Sequence, residues 1–296
     1  MPPVPPTPVP VRSVPSSDGV VVALHDLGGD GPPVLLAHPT GFLAMTWAPL
    51  AAELGAHAHC WALDFRGHGD ATAPASGDFA WTGMASDVLA VVDDLAAAGA
   101  AGPGLRAAGH SMGGAALLMA EQRRPGTFGA LWLYEPIVPP WSAGGPPPAD
   151  TNVMADVARR RRPWFPDRAA AYDNFKDKPP LSMLAPDALA AYVDHGLRER
   201  DGDGDPSVEL KCQPETEARV FDGARGHDAY DRLGEVACPV TVAVGGDETP
   251  PASFGPALAE ALPHGRLERH RELSHFGPMQ DPAAMALSVR AALDLG

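Results

Sequence analysis

The stretch with the clearest chemical potential is Gly-His-Ser-Met-Gly-Gly at residues 109–114. An apolar run at residues 105–108 precedes it and a helix-forming run of small residues follows it, which predicts a buried strand, a sharp turn and a helix. Glycines two residues to either side of Ser111 suit this turn, because a strained turn brings neighbouring backbones too close for a large side chain. The N–H groups at the start of the helix would face negative charge developing at the serine. The pattern therefore predicts Ser111 as a nucleophile.

A serine hydroxyl becomes a good nucleophile only when a base lies within hydrogen-bond reach and an acid orients that base. In a mostly parallel sheet, such partners come from loops at the carboxyl ends of the strands. Among the 11 histidines, His275 fits best, because it follows the last predicted strand and precedes the last predicted helix. His110 is adjacent to Ser111, and we expect the turn to direct these two side chains apart. We therefore predict His275 as the general base.

The composition limits the class of protein and of partner. The chain has 296 residues, of which 45% are hydrophobic, and this is enough for a large buried core. A formal net charge of −15 argues against nucleic acid and anionic membrane surfaces as partners. No apolar run approaches the length of a membrane span, and the N-terminus lacks the pattern of a secretion signal. Three cysteines without CxxC spacing predict reduced thiols and a cytoplasmic protein.

Two charged runs carry weaker signals. The Asp-x-Asp-x-Asp run at residues 201–205 lacks the glycine and the glutamate that a calcium loop needs, and we expect neither a metal nor a cofactor. Arg159–Arg162 is the one basic run of an acidic protein. We favour a solvated helix end that pairs with nearby carboxylates, and keep the steering of an anionic substrate as the alternative.

Predicted strands and helices alternate along most of the chain, which indicates a mostly parallel sheet covered by helices on both faces. Residues 1–17 carry seven prolines and predict an extended N-terminal arm. The alternation covers residues 18–136 and 237–296, which we assign to one α/β core. Residues 137–236 are proline-rich, more polar and mostly helical in pattern, which predicts a cap inserted into that core.

Five motifs, in this order, resemble the α/β-hydrolase superfamily and specifically its cap-bearing members. They are HPTGF at residues 38–42, DFRGHG at 64–69, GHSMGG at 109–114, GGD with a later proline at 245–251, and SHFGP at 274–278. The resemblance runs from about Val20 to the C-terminus and implies an α/β-hydrolase fold: a doubly wound, mostly parallel sheet with an inserted, mainly helical cap. Epoxide hydrolases and haloalkane dehalogenases of similar architecture carry aspartate at the turn, so Ser111 implies acyl transfer.

The resemblance leaves the acid of the triad open between two carboxylates. Asp247 follows the strand after the cap, which looks like the usual superfamily position. Glu135 follows the strand after Ser111, a position similar to that used by certain dehalogenases and lactonases. Either side chain could accept a hydrogen bond from the Nδ1–H group of His275. We favour Asp247 and keep Glu135 as the competing candidate.

The resemblance also implies an oxyanion hole and a substrate pocket. The first oxyanion donor would be the backbone N–H of Met112, directly after the nucleophile. In the superfamily, the loop that corresponds to residues 38–42 usually begins His-Gly. Here Pro39 replaces the glycine, and proline has no backbone N–H to donate. We therefore expect Thr40 as the second donor, with Gly41 behind it. The aromatic residues that we expect to line the pocket are Phe42, Trp141, Trp164 and Phe276.

These inferences predict a serine hydrolase that cleaves a small-to-medium hydrophobic ester or lactone through an acyl-enzyme, with a small-molecule substrate and no cofactor. Two alternatives stay open. One is carbon–carbon bond hydrolysis or cofactor-free haloperoxidase chemistry by the same triad. The other is a ligand-binding receptor on a hydrolase fold with little turnover, against which steady turnover of an activated ester would argue. The sequence allows a homodimer and does not identify the substrate.

Overall fold

The computed structural model describes residues 11–139, 152–200, 206–224 and 226–296. Eight strands form a central sheet and three short strands form a second sheet. In chain order the strands are Val11–Pro15 (β1), Val21–Gly28 (β2), Pro33–Ala37 (β3), His59–Asp64 (β4), Leu105–His110 (β5), Phe128–Tyr134 (β6), Trp164–Phe165 (β7), Leu197–Glu199 (β8), Val208–Leu210 (β9), Val240–Val244 (β10) and Gly265–Arg269 (β11).

The central sheet has the spatial order β1-β2-β4-β3-β5-β6-β10-β11. The pairs β1–β2 and β2–β4 are antiparallel, whereas every pair from β4 to β11 is parallel. Parallel strands of this kind are buried on both faces and appear in the sequence as continuous apolar runs. Leu35 and Leu36 in β3 show the result, because both are fully buried, each in a different core. The predicted mostly parallel sheet is confirmed.

Part of the predicted N-terminal arm belongs to this sheet. β1 pairs with β2 from Val11 opposite His25 to Pro15 opposite Val21, and Val14 is buried. The prediction of an arm is therefore wrong for residues 11–15. Because β1 is an edge strand, Pro15 at its end does not interrupt a hydrogen-bond ladder with a further neighbour. Residues 1–10 lie outside the described residues.

Ten α-helices are present in the described part of the chain. They are Ala48–Leu54 (α1), Trp81–Ala97 (α2), Met112–Arg123 (α3), Val153–Arg159 (α4), Arg168–Phe175 (α5), Pro186–Gly196 (α6), Pro214–Gly223 (α7), Gly255–Ala261 (α8), Gly277–Gln280 (α9) and Pro282–Ala292 (α10). Helices α2, α3 and α8 contribute to the core on one face of the sheet, and α1 and α10 contribute to the core on the other face. No helix among the described residues is long and apolar enough to cross a bilayer.

The chain leaves the central sheet after β6 and returns to it at β10. We call residues 137–236, which lie between these strands, the inserted segment. It holds helices α4 to α7 and the small sheet of β7, β8 and β9, and its described residues add no strand to the central sheet. Its own apolar cluster includes Phe42 and Met279 of the core. The Nε1–H group of Trp81 donates to the carbonyl of Val220 at 2.8 Å, so the segment is tied to the core by polar contacts as well.

The register of the parallel strands places several loops side by side. Ala37 at the end of β3 pairs with Gly109 in β5, and Tyr134 at the end of β6 pairs with both His110 and Ala243. The carboxyl ends of β3, β5, β6 and β10 therefore meet at one edge of the sheet. Loops at this edge are where an α/β sheet holds its ligands.

Candidate active site

Ser111 occupies a strained turn between β5 and α3. Its backbone has φ +54° and ψ −116°, a conformation that an L-residue rarely adopts. Its N–H group donates to the carbonyl of Tyr134 at 2.9 Å, and its own carbonyl accepts from Ile137 N–H at 3.3 Å. These bonds hold the turn against the end of β6. The predicted strand, sharp turn and helix around Ser111 are confirmed.

The start of helix α3 lies against the end of β3. A Cβ added to Gly113 would fall 2.2 Å from the carbonyl oxygen of Ala37, and only glycine permits this approach. The first N–H groups of a helix have no partner within the helix and carry partial positive charge. The N–H of Met112, the first residue of α3, therefore belongs to the positive end of a helix and directly follows Ser111. This placement agrees with the predicted first oxyanion donor.

His275 and Glu135 form a hydrogen-bonded pair. The Nδ1 atom of His275 lies 2.6 Å from Oε2 of Glu135, whose carboxylate is 1% exposed. The second oxygen, Oε1, accepts from Gly245 N–H at 2.7 Å. A carboxylate can only accept here, so Nδ1 carries the hydrogen and the lone pair is left on Nε2. This arrangement prepares the imidazole to act as a base.

The loop that carries His275 is held by its neighbours. The hydroxyl of Tyr134 donates to the carbonyl of Ser274 at 2.7 Å, and Gln280 accepts from both the N–H and the hydroxyl of Ser274 at 3.0 and 2.7 Å. The ring of His110 packs against the ring of His275, with 4.8 Å between the centroids. Burial and the nearby His275 lower the pKa of His110 well below its usual value, so its ring is neutral. His110 is thus a packing neighbour of the candidate base.

The structure corrects the prediction that Asp247 is the acid beside His275. Asp247 is exposed on the loop after β10, whereas the Nδ1 atom of His275 bonds to Glu135. Glu135 has φ +43° directly after β6, and Gly245 N–H holds its carboxylate at the end of β10. The position that Asp247 was expected to fill beside the imidazole is therefore taken by Glu135. Both residues follow strands at the same edge of the sheet, and the sequence does not show which side chain turns inward.

Residues 38–42, which we call the oxyanion loop, contain both candidates for the second oxyanion donor, Thr40 and Gly41. Gly41 N–H donates to Nε2 of His68 at 3.1 Å, and Phe42 N–H donates to the carbonyl of Pro39 at 3.2 Å. Gly41 is therefore not available as an oxyanion donor, and that prediction is wrong. Among the described residues, the N–H of Thr40 has no hydrogen-bond partner. The Thr40 hydroxyl lies 3.4 Å from the sulfur of Met112, so the loop touches the start of α3.

Two buried histidines hold the oxyanion loop from the core side. His38 donates from Nδ1 to the carbonyl of Pro39 at 2.8 Å and accepts at Nε2 from Phe65 N–H at 3.1 Å. His68 donates from Nδ1 to the carbonyl of Arg66 at 3.1 Å and accepts at Nε2 from Gly41. Burial lowers the pKa of His38 to about 3 and that of His68 to about 4. Both rings are therefore neutral near pH 7 and can accept a hydrogen bond.

The sequence motif at residues 64–69 contains His68 but does not show that this side chain contacts the oxyanion loop. One feature of the sequence could have indicated this contact. In the motif at residues 64–69, a histidine follows a predicted strand, so it could lie near the other loops at the carboxyl ends of the strands. Asp64, at the start of this motif, accepts from His25 Nε2 at 2.8 Å, Ala44 N–H at 2.7 Å and Asp70 N–H at 2.9 Å. His25, Asp64 and Asp70 lie close enough to share an ion. Since N–H donors already surround the Asp64 carboxylate, this group fits a structural anchor better than a metal site.

The predicted pocket residues divide into three groups. The rings of Phe42 and Phe276 lie 5.8 Å apart, and Phe276 contacts the ring of His275 at 5.1 Å. These two residues therefore form an aromatic wall beside the candidate base. Trp164 is 42% exposed, and its ring packs against the guanidinium groups of Arg162 and Arg200, with no ring contact to His275 among the described residues. Trp141 lies outside the described residues. Tyr192, which sequence reasoning missed, packs on Phe42 with 5.4 Å between the rings.

Residues 34–287 match the model of the family described as the alpha/beta hydrolase family. The chain is 41% identical over 94 residues to protein phosphatase methylesterase 1 of Bos taurus, an alignment that covers 31% of this chain and 24% of that relative. The chain thus spans about a quarter of the length of the curated relatives it matches.

Solved structures resemble the whole chain at low sequence identity. An esterase of Thermogutta terrifontis, solved with malate bound, superposes with a TM-score of 0.71 at 20% identity and covers 96% of this chain and 98% of its own. The enol-lactonase of Burkholderia xenovorans LB400 superposes with a TM-score of 0.66 at 20% identity and covers 96% and 100%. These likenesses show the shared fold.

Proposed function

The chain belongs to the alpha/beta hydrolase family, and from its site we infer that it is a serine hydrolase of small-to-medium hydrophobic esters or lactones. The observation that carries this proposal is the pair of His275 and buried Glu135 at the same sheet edge as the strained Ser111. Nucleophilic catalysis by serine needs a base that is itself oriented by an acid. The aromatic wall of Phe42 and Phe276 supports an apolar substrate beside the base.

The proposed reaction has two halves. In the first, the Ser111 hydroxyl attacks the ester carbonyl while Nε2 of His275 takes its proton, and Glu135 stabilises the resulting imidazolium. The negative oxygen of the tetrahedral intermediate accepts from the N–H groups of Met112 and Thr40. The intermediate collapses, the C–O bond to the leaving alcohol breaks, and His275 returns its proton to that alcohol.

In the second half, water attacks the acyl-enzyme and His275 takes a proton from that water. The second tetrahedral intermediate collapses, the C–O bond to Ser111 breaks and releases the carboxylic acid, and His275 returns its proton to the Ser111 oxygen. The likeness to a methylesterase and to an enol-lactonase supports including methyl esters and small lactones among the substrates to be tested.

The experiment that tests this function combines turnover with labelling. The wild type should hydrolyse p-nitrophenyl esters of short to medium acyl chains, and a fluorophosphonate should add one covalent mass on the peptide that contains Ser111. Ser111→Ala should abolish both signals, with a loss of at least about 10⁴-fold in kcat. Ser253→Ala, which changes an exposed serine, is the matched control and should keep both.

Two outcomes would contradict the proposal. Full ester turnover in Ser111→Ala would remove the serine mechanism. A wild type that binds the fluorophosphonate and aryl esters but releases no product would favour a receptor instead. Product analysis with a carbon–carbon substrate or with halide and peroxide would detect the other two chemistries that the same triad allows.

A further inference from the structure

Gly41 of the oxyanion loop is contacted from two sides. On the core side, its N–H donates to His68. On the other side lies Glu217 of helix α7 in the inserted segment. A Cβ added to Gly41 would fall 2.5 Å from Oε1 of Glu217 and 2.8 Å from its Cδ, and Gly41 has φ +78°. The Glu217 carboxylate therefore packs directly on the backbone of the loop, in the space that a side chain at residue 41 would need.

Glu217 is itself held in place by a buried charge pair. Its side chain is 9% exposed and forms an ion pair with Nη1 of Arg161, whose Nη2 donates to the hydroxyl of Tyr192 at 2.6 Å. Burial lowers the pKa of Arg161, but Tyr192 and Glu217 outweigh that effect and raise it above its usual value. We call Arg161 and Glu217 the clamp pair. Both members are charged, and together they bring no net charge to the loop.

The clamp pair and Tyr192 together contact two successive residues of the loop. Glu217 packs on Gly41, and Tyr192, which bonds to Arg161, packs its ring on Phe42. Phe42 in turn contacts Phe276 beside the candidate base. The inserted segment therefore reaches the oxyanion loop through one connected polar and aromatic network.

We propose that Glu217, held by Arg161, is a positioning residue that presses Gly41 against His68 and so orients the Thr40 N–H toward the oxyanion. Arg161 also neutralises a carboxylate that lies one residue from the proposed donor, where an unpaired negative charge would oppose the oxyanion. The proposal rests on the proposed function, because it assigns Thr40 as a donor. It adds a requirement that the core motifs do not contain: a correctly formed oxyanion loop needs the inserted segment.

The alternative role for Arg161 is an anchor for an anionic substrate. The structure favours the clamp, because a buried carboxylate already neutralises Arg161. Arg159, two residues earlier in the same basic run, pairs with exposed Glu215 and Asp222 instead. The Arg159–Glu215 pair joins the same two parts of the inserted segment without touching the oxyanion loop, which makes it a matched control.

The test uses Arg161→Met, Glu217→Ala and the double variant Arg161→Met/Glu217→Gln, with Arg159→Met and Glu215→Ala as controls. We expect Arg161→Met and Glu217→Ala to lower kcat for p-nitrophenyl acetate by about 10- to 100-fold while KM changes by less than about threefold. Binding of phenylboronic acid, which forms a tetrahedral adduct with serine, should weaken by a similar factor. The double variant keeps the shape and removes both charges, so it should recover at least part of the loss. The controls should stay within about twofold of wild type.

A second measurement reports on the loop without turnover. Amide hydrogen exchange of the peptide around residue 41 should be slow in wild type, because the N–H of Gly41 is bonded to His68. In Arg161→Met and Glu217→Ala it should become at least about tenfold faster, with no matching change in peptides of β5 or α3. Uniformly faster exchange would show that the variants merely destabilise the fold, and would overturn the proposal.

Other outcomes are equally decisive. Unchanged kcat with unchanged exchange removes the clamp, and faster exchange with unchanged kcat reduces Glu217 to a packing residue. A rise in KM confined to p-nitrophenyl hydrogen succinate, which carries a carboxylate, assigns Arg161 to substrate binding instead. If wild type hydrolyses no ester, the proposed function fails, and exchange at Gly41 together with boronic acid binding decides the clamp separately.

Discussion

The central sheet holds its functional residues at the edge where the carboxyl ends of β3, β5, β6 and β10 meet. The inserted segment holds its functional residues in a different way. At the sheet edge, backbone geometry positions Ser111, Glu135 and the oxyanion loop, because each directly follows a strand of fixed register. In the inserted segment, side-chain ion pairs such as Arg161–Glu217 determine which charges face the core. On our proposals, the sheet edge carries the chemistry, and the segment acts on it through contacts that single substitutions can remove.

The largest effect is expected on kcat when a residue at the sheet edge is changed. Glu135→Gln should lower kcat by about 10⁴-fold, because an amide in place of the proposed triad acid no longer fixes the His275 tautomer or stabilises its imidazolium. Asp247→Asn makes the same change in charge at the competing position, and its kcat should stay within about twofold of the wild-type value. Steady-state kinetics on one ester measures both. If the losses were reversed, Asp247 would be the acid, and the contact between Glu135 and His275 would have only a structural role.

The next effect concerns backbone packing at the nucleophile turn. Gly113→Ala should reduce the free energy of unfolding by about 1–3 kcal/mol and lower kcat, because the added Cβ would meet the carbonyl of Ala37. Gly102→Ala is the matched control, since a Cβ there meets no atom within 4 Å. It should change stability by less than about 0.5 kcal/mol. Urea unfolding of both variants measures the difference, and equal stability would show that α3 can move away from β3 freely.

A pH-dependent effect on stability arises from the two neutral histidines beneath the oxyanion loop. His38 and His68 titrate at about 3 and about 4 in the fold, against 6.5 for an unperturbed histidine. The unfolded chain therefore binds more protons, and the stability they contribute is present above pH 6.5 and is lost as pH falls toward 4. Each should contribute a slope of about 1.4 kcal/mol per pH unit in that window. Urea unfolding between pH 7 and pH 4 measures it, and His68→Gln should make the slope shallower. An unchanged slope would mean that His68 is charged in the fold.

The smallest effect is expected at exposed ion pairs of the inserted segment. The Nη1 atom of Arg168 lies 2.5 Å from Oε1 of Glu199, but the two side chains are 37% and 70% exposed. Glu199→Gln should change the free energy of unfolding by no more than about 0.5 kcal/mol, because water screens the pair. A loss as large as that from Gly113→Ala would show that exposed ion pairs contribute substantially to the stability of the segment.

The sequence predicted the residues that recur in local motifs and missed those set by tertiary contact. Ser111 and His275 were identifiable because a turn between strand and helix, and a loop after the last strand, are local patterns. Glu135 could not be chosen over Asp247, because both follow strands at the same edge and only the fold shows which one turns toward the imidazole. The bond from Gly41 to His68 joins two motifs that the sequence presents separately.

Two further differences have the same physical origin. The prolines near the N-terminus suggested an arm, yet residues 11–15 pair with β2, since an edge strand tolerates proline at its end. The basic run was expected to be a solvated helix end that pairs with nearby carboxylates. Arg159 fits that expectation, whereas Arg161 is partly buried against Glu217 and Tyr192. Neighbours in the chain can thus lie in opposite environments when a helix ends between them, as α4 does at Arg159.

The path of the chain around the inserted segment has a consequence for engineering. The chain departs just after Glu135 and returns to β10, whose end holds the carboxylate of that same residue through Gly245. β6 and β10 are neighbours in the sheet, so the exit and the re-entry lie on adjacent strands. Such a segment can be treated as a replaceable cassette. A chimera that exchanges it would keep the pairing of His275 with Glu135, and the new segment would have to supply partners for Gly41, for the Nε1–H of Trp81 and for the apolar surface around Phe42.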